Sequence, residues 1–152
     1  MRLLNTRTFK LEHYHSHAEV DYAILSHTWQ KDEVLFADIE AGSEHWSKIE
    51  GASKVKRAAA TAAKHGFKYI WIDTCCIDKD SSAELSEAIN SMFKWYQHSV
   101  ICYAYLCDVK LNSEAPTSVD AEFEKSRWFT RAWTGQSPTL RRFIYFFCAQ
   151  SF

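Results

Sequence analysis

The sequence predicts an α/β domain: a parallel sheet with helices on both faces. Two observations carry the prediction. Three short apolar runs, Tyr22–Leu25, Tyr69–Ile72 and Val100–Leu106, are rich in β-branched and aromatic residues. Their near-continuous apolarity, without alternation, fits strands covered on both sides. Helical patterns fill the intervals, and the stretch from Asp73 to Val100 is long enough for a crossover helix between two parallel strands.

Taken in chain order, the segment from Leu3 to Leu11 predicts an added edge strand. The first apolar run follows. From Lys48 to His65, apolar residues recur at helical spacing: Ile49, Ala52, Val55, Ala59, Ala62 and Ala63. Lys54, Arg57 and Lys64 fall on other faces and read as a solvated surface, and Gly66 supplies the C-cap. After the second run, Ser81-x-x-Glu84 forms a capping box, and Leu85, Ala88, Ile89, Met92 and Tyr96 form a core stripe. After the third run comes a polar loop from Lys110 to Asp120, then a short aromatic-rich helix from about Glu122 to Trp133. Phe143–Phe147 predicts a last strand.

A length of 152 residues fits one domain, with its core over 20–134 and a divergent end over 135–152. Hydrophobic residues at 47% exclude a disordered chain. A formal net charge of -1 gives no general attraction to nucleic acid or anionic membrane. No run approaches the roughly 18 apolar residues that would span a bilayer, and the first residues lack a signal-peptide pattern. Five cysteines, two of them adjacent, argue against a secreted disulfide framework. The expectation is a soluble, cytoplasmic protein.

Each inner strand runs into polar residues: Ser26-His27-Thr28-Trp29, then Asp73-Thr74-Cys75-Cys76-Ile77-Asp78, then Cys107-Asp108. With parallel strands these ends share the carboxyl edge, where open α/β sheets bind ligands. The candidate pocket is therefore Ser26, His27, Trp29, Asp73, Cys75, Asp78 and Asp108. Simpler roles stand beside this one: Asp73 as a turn cap, Asp80 or Ser81 as a helix N-cap, His27 as a satisfied turn histidine. Cys75 and Cys76 point apart at a strand end and lack a C-x-x-C partner, so no metal is expected, and buried apolar cysteines are the default. With four glycines and no phosphate-loop or hydrolase motif, no phosphate cradle is expected. Trp128, Arg131 and Trp133 either pack on the sheet or form an interaction surface.

Four blocks then carry a family resemblance. Tyr22–Trp29, Tyr69–Lys79, Ser81–Met92 and Ser126–Thr134 resemble, in order, the blocks of the fungal heterokaryon-incompatibility domain. The resemblance implies a role in nonself recognition and programmed cell death. It also implies distant kinship with Toll/interleukin-1 receptor (TIR) domains and their flavodoxin-like fold. Some TIR-like domains cleave NAD with one glutamate, a chemistry in which a carboxylate stabilises an oxocarbenium-like centre. Where the family continues Trp-Thr-Leu-Gln-Glu-Leu, this chain reads Trp133-Thr134-Gly135-Gln136-Ser137-Pro138. Ser137 stands at the glutamate's place and Pro138 breaks the helix. Read this way, the departure reflects a frame error or mis-splicing between Thr134 and Phe143, and the chain ends earlier than family members usually do. The expected function is a signalling or interaction module that self-associates or engages another death-signalling domain. The alternative is a TIR-like hydrolase with NAD as substrate, inactive here for want of the glutamate. In that alternative His27 and Asp73 line the pocket, and Glu84 and Glu87 are capping and solvated residues.

Overall fold

The computed structural model describes residues 1–109, 123–130 and 144–148. Six strands form one sheet in the order β2-β1-β4-β3-β5-β6. The strands are β1 (Arg2–Asn5), β2 (Leu11–His13), β3 (Ala23–His27), β4 (Tyr69–Trp71), β5 (Ile101–Leu106) and β6 (Ile144–Cys148). The helices are α1 (Phe36–Ala41), α2 (Ser43–Trp46), α3 (Ala52–Lys64) and α4 (Ser82–His98), with a 3-10 turn over Arg127–Thr130. Strands β4, β3, β5 and β6 are mutually parallel, with Ile24 opposite Trp71 and Leu25 opposite Tyr103.

The three apolar runs are the three central strands, and β3 is buried along its whole length. The chain leaves β3 in one direction to make β4 and returns past it to make β5. Right-handed crossovers then put α3 and α4 on opposite faces. Side-chain contacts agree. Trp71, on the face shared with Ile24, packs edge-on against Trp95 of α4 at 5.5 Å. Tyr103, on the face shared with Leu25, meets His65 beyond the end of α3 through a 2.8 Å hydrogen bond. The architecture is thus α/β as expected, in a mixed sheet.

The N-terminal segment departs from the expected single edge strand. It folds back at Asn5, whose Oδ1 accepts the N–H groups of Arg7 and Thr8, with Phe9 in the left-handed region at φ 54°. Two strands result, and β1 lies inside the sheet, antiparallel to both β2 and β4. Along α4, Leu85, Met92 and Tyr96 pack against the core and Ala88 is buried. Ile89, expected in that stripe, is instead exposed, and Trp95 takes the buried place. Trp95 lies seven residues beyond Ala88, two turns along the same face. The helices α1 and α2 had no periodic signal. Helix α3 begins four residues later than the spacing indicates, since Ile49 belongs to the turn before it. The polar loop lies outside the described residues. Of the expected aromatic-rich helix, residues 123–130 are described, and there the helix breaks at Lys125 and Ser126 before the 3-10 turn over Arg127–Thr130, so no single helix spans them.

Gly51 opens α3 with an ordinary φ of -65°, so glycine is needed there for space. A Cβ would stand 2.5 Å from the Asp32 carbonyl oxygen and 3.1 Å from the Glu33 Cα, both backbone atoms. Gly51→Ala is therefore expected to cost about 1–3 kcal/mol, as overpacking does. A urea-denaturation midpoint at the wild-type level would contradict it.

Candidate functional site

Alternation along β3 divides its polar end. Leu25 and His27 share the α3 face, while Ile24 and Ser26 share the α4 face. His27 is buried, and its Nε2 lies 2.7 Å from Asp73 Oδ1, just past the end of β4. Its Nδ1 lies 2.9 Å from the Nζ of Lys54 on α3. The same Nζ donates to Glu33 Oε1 at 2.5 Å. Glu33 Oε1 also accepts the Gln30 N–H at 2.6 Å. The second Asp73 oxygen accepts the Trp29 indole N–H at 2.9 Å.

Donor and acceptor capacities fix the direction of this chain. An ammonium has donors only, so Nδ1 of His27 accepts from Lys54, and the imidazole proton resides on Nε2 and is donated to Asp73. Lys79 completes the group, its Nζ lying over the Trp29 ring at 3.8 Å from the centroid. Two cations (Lys54, Lys79) thus meet two anions (Glu33, Asp73), which is the balance that buried charge requires. Burial pushes the Asp73 carboxyl up. The His27 and Trp29 hydrogen bonds and the Lys79 charge outweigh it and leave the group below its ordinary value. For Lys79 burial dominates and lowers the ammonium, against the opposing pull of the Asp73 and Glu33 carboxylates.

Of the expected pocket residues, the fold therefore brings together His27, Trp29 and Asp73. Four others go elsewhere. Ser26 turns away from His27 and its Oγ accepts the Trp128 indole N–H at 3.0 Å. Cys75 is completely buried, and its thiol is held well above its ordinary value by the Cys76 hydrogen bond and by burial, so it presents neither a pocket wall nor a thiolate. Asp78 accepts the Asp80 N–H and belongs to the turn before α4. Asp108 accepts from Ser126 Oγ and the Arg127 N–H, each at 2.7 Å. Burial raises its carboxyl, but these bonds and the Arg127 charge bring it below the ordinary value. Of the two roles open to Trp128, the structure shows packing: it is only 3% exposed and sits in a small core with Ala104, Leu106 and Val109, so it forms no interaction surface. Arg131 and Trp133 lie outside the described residues.

Three members of the network went unseen in the sequence: Lys54, Glu33 and Lys79. Lys54 was assigned to a solvated face, yet it is 1% exposed. The signal was there in Ala58, one turn beyond Lys54 and fully buried, which widens the apolar stripe to include position 54. Among the described residues no group of three His, Cys, Asp or Glu side chains could hold a metal ion. Further along the edge, Arg2, His13, Ser81, Glu84, Glu87 and Trp95 help line a cavity of about 270 Å³. Arg2 pairs with Glu84, which also accepts the Asp78 N–H at 3.0 Å.

Comparison with known proteins follows the same residues. The family model described as heterokaryon incompatibility protein (HET) matches residues 22–119. Vegetative incompatibility protein HET-E-1 of Podospora anserina is 46% identical over 131 residues, covering 83% of this chain and 10% of that protein. The chain thus spans about a tenth of that relative's length. No solved structure matches.

Two expectations test the network. Lys54→Met leaves Glu33 buried without its cation and is expected to cost about 3–5 kcal/mol in urea denaturation. Adding Glu33→Leu to that variant should recover most of the loss. Failure of the second change to help would show that the lysine matters by its shape rather than its charge. The second test uses pH. Because the folded carboxyl of Asp73 sits below the unfolded one, its contribution is complete above the unfolded value near ~3.9 and is lost as pH falls through the lower folded value. Asp73→Asn should therefore be less stable than wild type by about 2 kcal/mol at neutral pH, with the gap closing below about pH 4. A gap independent of pH would contradict the assignment.

Proposed function

The chain belongs to the heterokaryon-incompatibility (HET) family, and on that premise we propose that it acts in fungal nonself recognition. In this reading it is a cytoplasmic module that promotes programmed cell death by associating with a second copy or with another death-signalling domain. The named relative is a vegetative incompatibility protein, which supports the role. Among the described residues no helix is long and apolar enough to cross a membrane.

The closed hydrogen-bond chain carries the choice of a signalling module over a hydrolase. Both Asp73 oxygens and both His27 nitrogens already have partners within the fold. A carboxylate held in this way orients its neighbours and is poorly placed to meet an oxocarbenium-like centre. The exposed Ile89 and Phe93, one turn apart on α4, supply apolar surface that an associating domain would cover.

The test is expression of the chain, fused to an inducible dimeriser, in a filamentous fungus, with viability and NAD content followed together. Death on clustering with NAD unchanged is the expected result. Loss of NAD that precedes death and is abolished by Asp73→Asn would replace this reading with the NAD-cleaving one. Normal growth on clustering would contradict both.

A further inference from the structure

Helix α4 buries one side through Ala88 and Trp95 and leaves the other open to solvent. On the open side Ile89 is 56% exposed, and Phe93, one turn on, is 51% exposed. No other helix among the described residues exposes two large apolar side chains. At about 100° of rotation per residue, Ile89 and Phe93 form one flank of the open stripe, Asn90 lies at its middle, and Glu87 and Lys94 form the other flank. Glu87 and Lys94 are both exposed, and neither has an ion-pair partner among the described residues.

The stripe is symmetric along the helix. Ile89 and Phe93 are centred on position 91, and Glu87 and Lys94 on the bond between 90 and 91. The two centres differ by half a residue, which is less than about 1 Å of helix. We propose that this face is a self-association surface, on which α4 packs antiparallel against α4 of a second copy across a two-fold axis. Under that symmetry each flank meets its own copy, reversed in direction. Ile89 then packs on Phe93 of the second copy, and Phe93 on its Ile89. On the other flank Glu87 faces Lys94 of the second copy, and Lys94 faces its Glu87, so both contacts join opposite charges. Asn90 lies nearest the axis and meets itself, and an amide carries both the donor and the acceptor for that pairing. A parallel pair would instead set Glu87 against Glu87 and Lys94 against Lys94. Mirrored charges of opposite sign, centred with the apolar pair, are what a second copy requires and what an unrelated partner does not.

One helix pair buries less than the ~1,200 Å² of a stable interface, so the association is weak and responds to local concentration. The dimer deepens the death-signalling reading and rests on it for its role, since it supplies the surface and register by which one copy meets another. Sedimentation equilibrium of the chain at low salt, up to about 1 mM, is the test. The wild type is expected to dimerise with a dissociation constant on the order of 0.1 mM. Glu87→Lys alone and Lys94→Glu alone each place like charges at both ionic contacts and should weaken the dimer about tenfold. Equal amounts of the two variants mixed together, or both changes in one chain, should bring it back to within about twofold of wild type, because opposite charges face each other again. Phe93→Ser, checked for a native-like circular dichroism spectrum, should leave no measurable dimer. A wild-type chain that stays monomeric, a dimer indifferent to these changes, or a loss that mixing does not repair overturns the proposal. Death on forced clustering of a chain that is monomeric by itself would sink this surface and keep the signalling role. The dimer as described, with clustering harmless, would keep the surface and sink that role.

Discussion

The buried contact between the Lys54 ammonium and His27 is the constraint from which the carboxyl edge of the sheet follows. A lysine inside an α/β core offers donors and no acceptor, so it needs acceptors at fixed places. Glu33 supplies one and His27 Nδ1 the other. Each choice limits the next. With Nδ1 accepting, His27 donates from Nε2 to Asp73, and the free Asp73 oxygen takes the Trp29 indole. The loop carrying Glu33 must then lie close against the start of α3. Gly51 permits that approach, as the Asp32 carbonyl leaves no room for a Cβ.

The period of two along β3 sets a second division. His27 faces α3 and enters the charged network, while its neighbour Ser26 faces the other side and receives Trp128. That bond spans 102 positions of sequence and ties the 123–130 segment to the central strand. Asp108 reinforces it from the end of β5 by capping Ser126 and Arg127. One strand end thus organises two unlike surroundings, one ionic and one aromatic, on the two faces of the sheet.

Much of this fold was legible because buried parallel strands leave continuous apolar runs. Tyr69–Trp71 and Ile101–Leu106 fell within one residue of their expected bounds. The hairpin β1–β2 was not legible, since its turn depends on an Asn5 side chain and a left-handed Phe9 rather than on the glycine that usually marks such a place. Within the site, His27 and Asp73 could be placed together from strand order alone. Lys54 could not, because a lysine on an alanine-rich helix looks like a solvated residue until its acceptors are known. Cys75 follows its default reading: a cysteine at the end of a buried strand is plain core, and its place at the sheet edge does not make it part of a pocket.

A buried cluster of two cations and two anions is a poor way to gain stability, because apolar side chains of similar volume commonly do as well or better. What the cluster supplies is direction. An apolar core would fill the space beneath the sheet edge without specifying where an indole must lie. A chain of directional hydrogen bonds holds the Trp29 indole by its N–H edge on Asp73. A carboxylate and imidazole in contact resemble a catalytic pair, but catalysis needs a group left available for the reacting atoms. Here both groups are engaged within the fold, and the exposed member of the chain is the Trp29 ring.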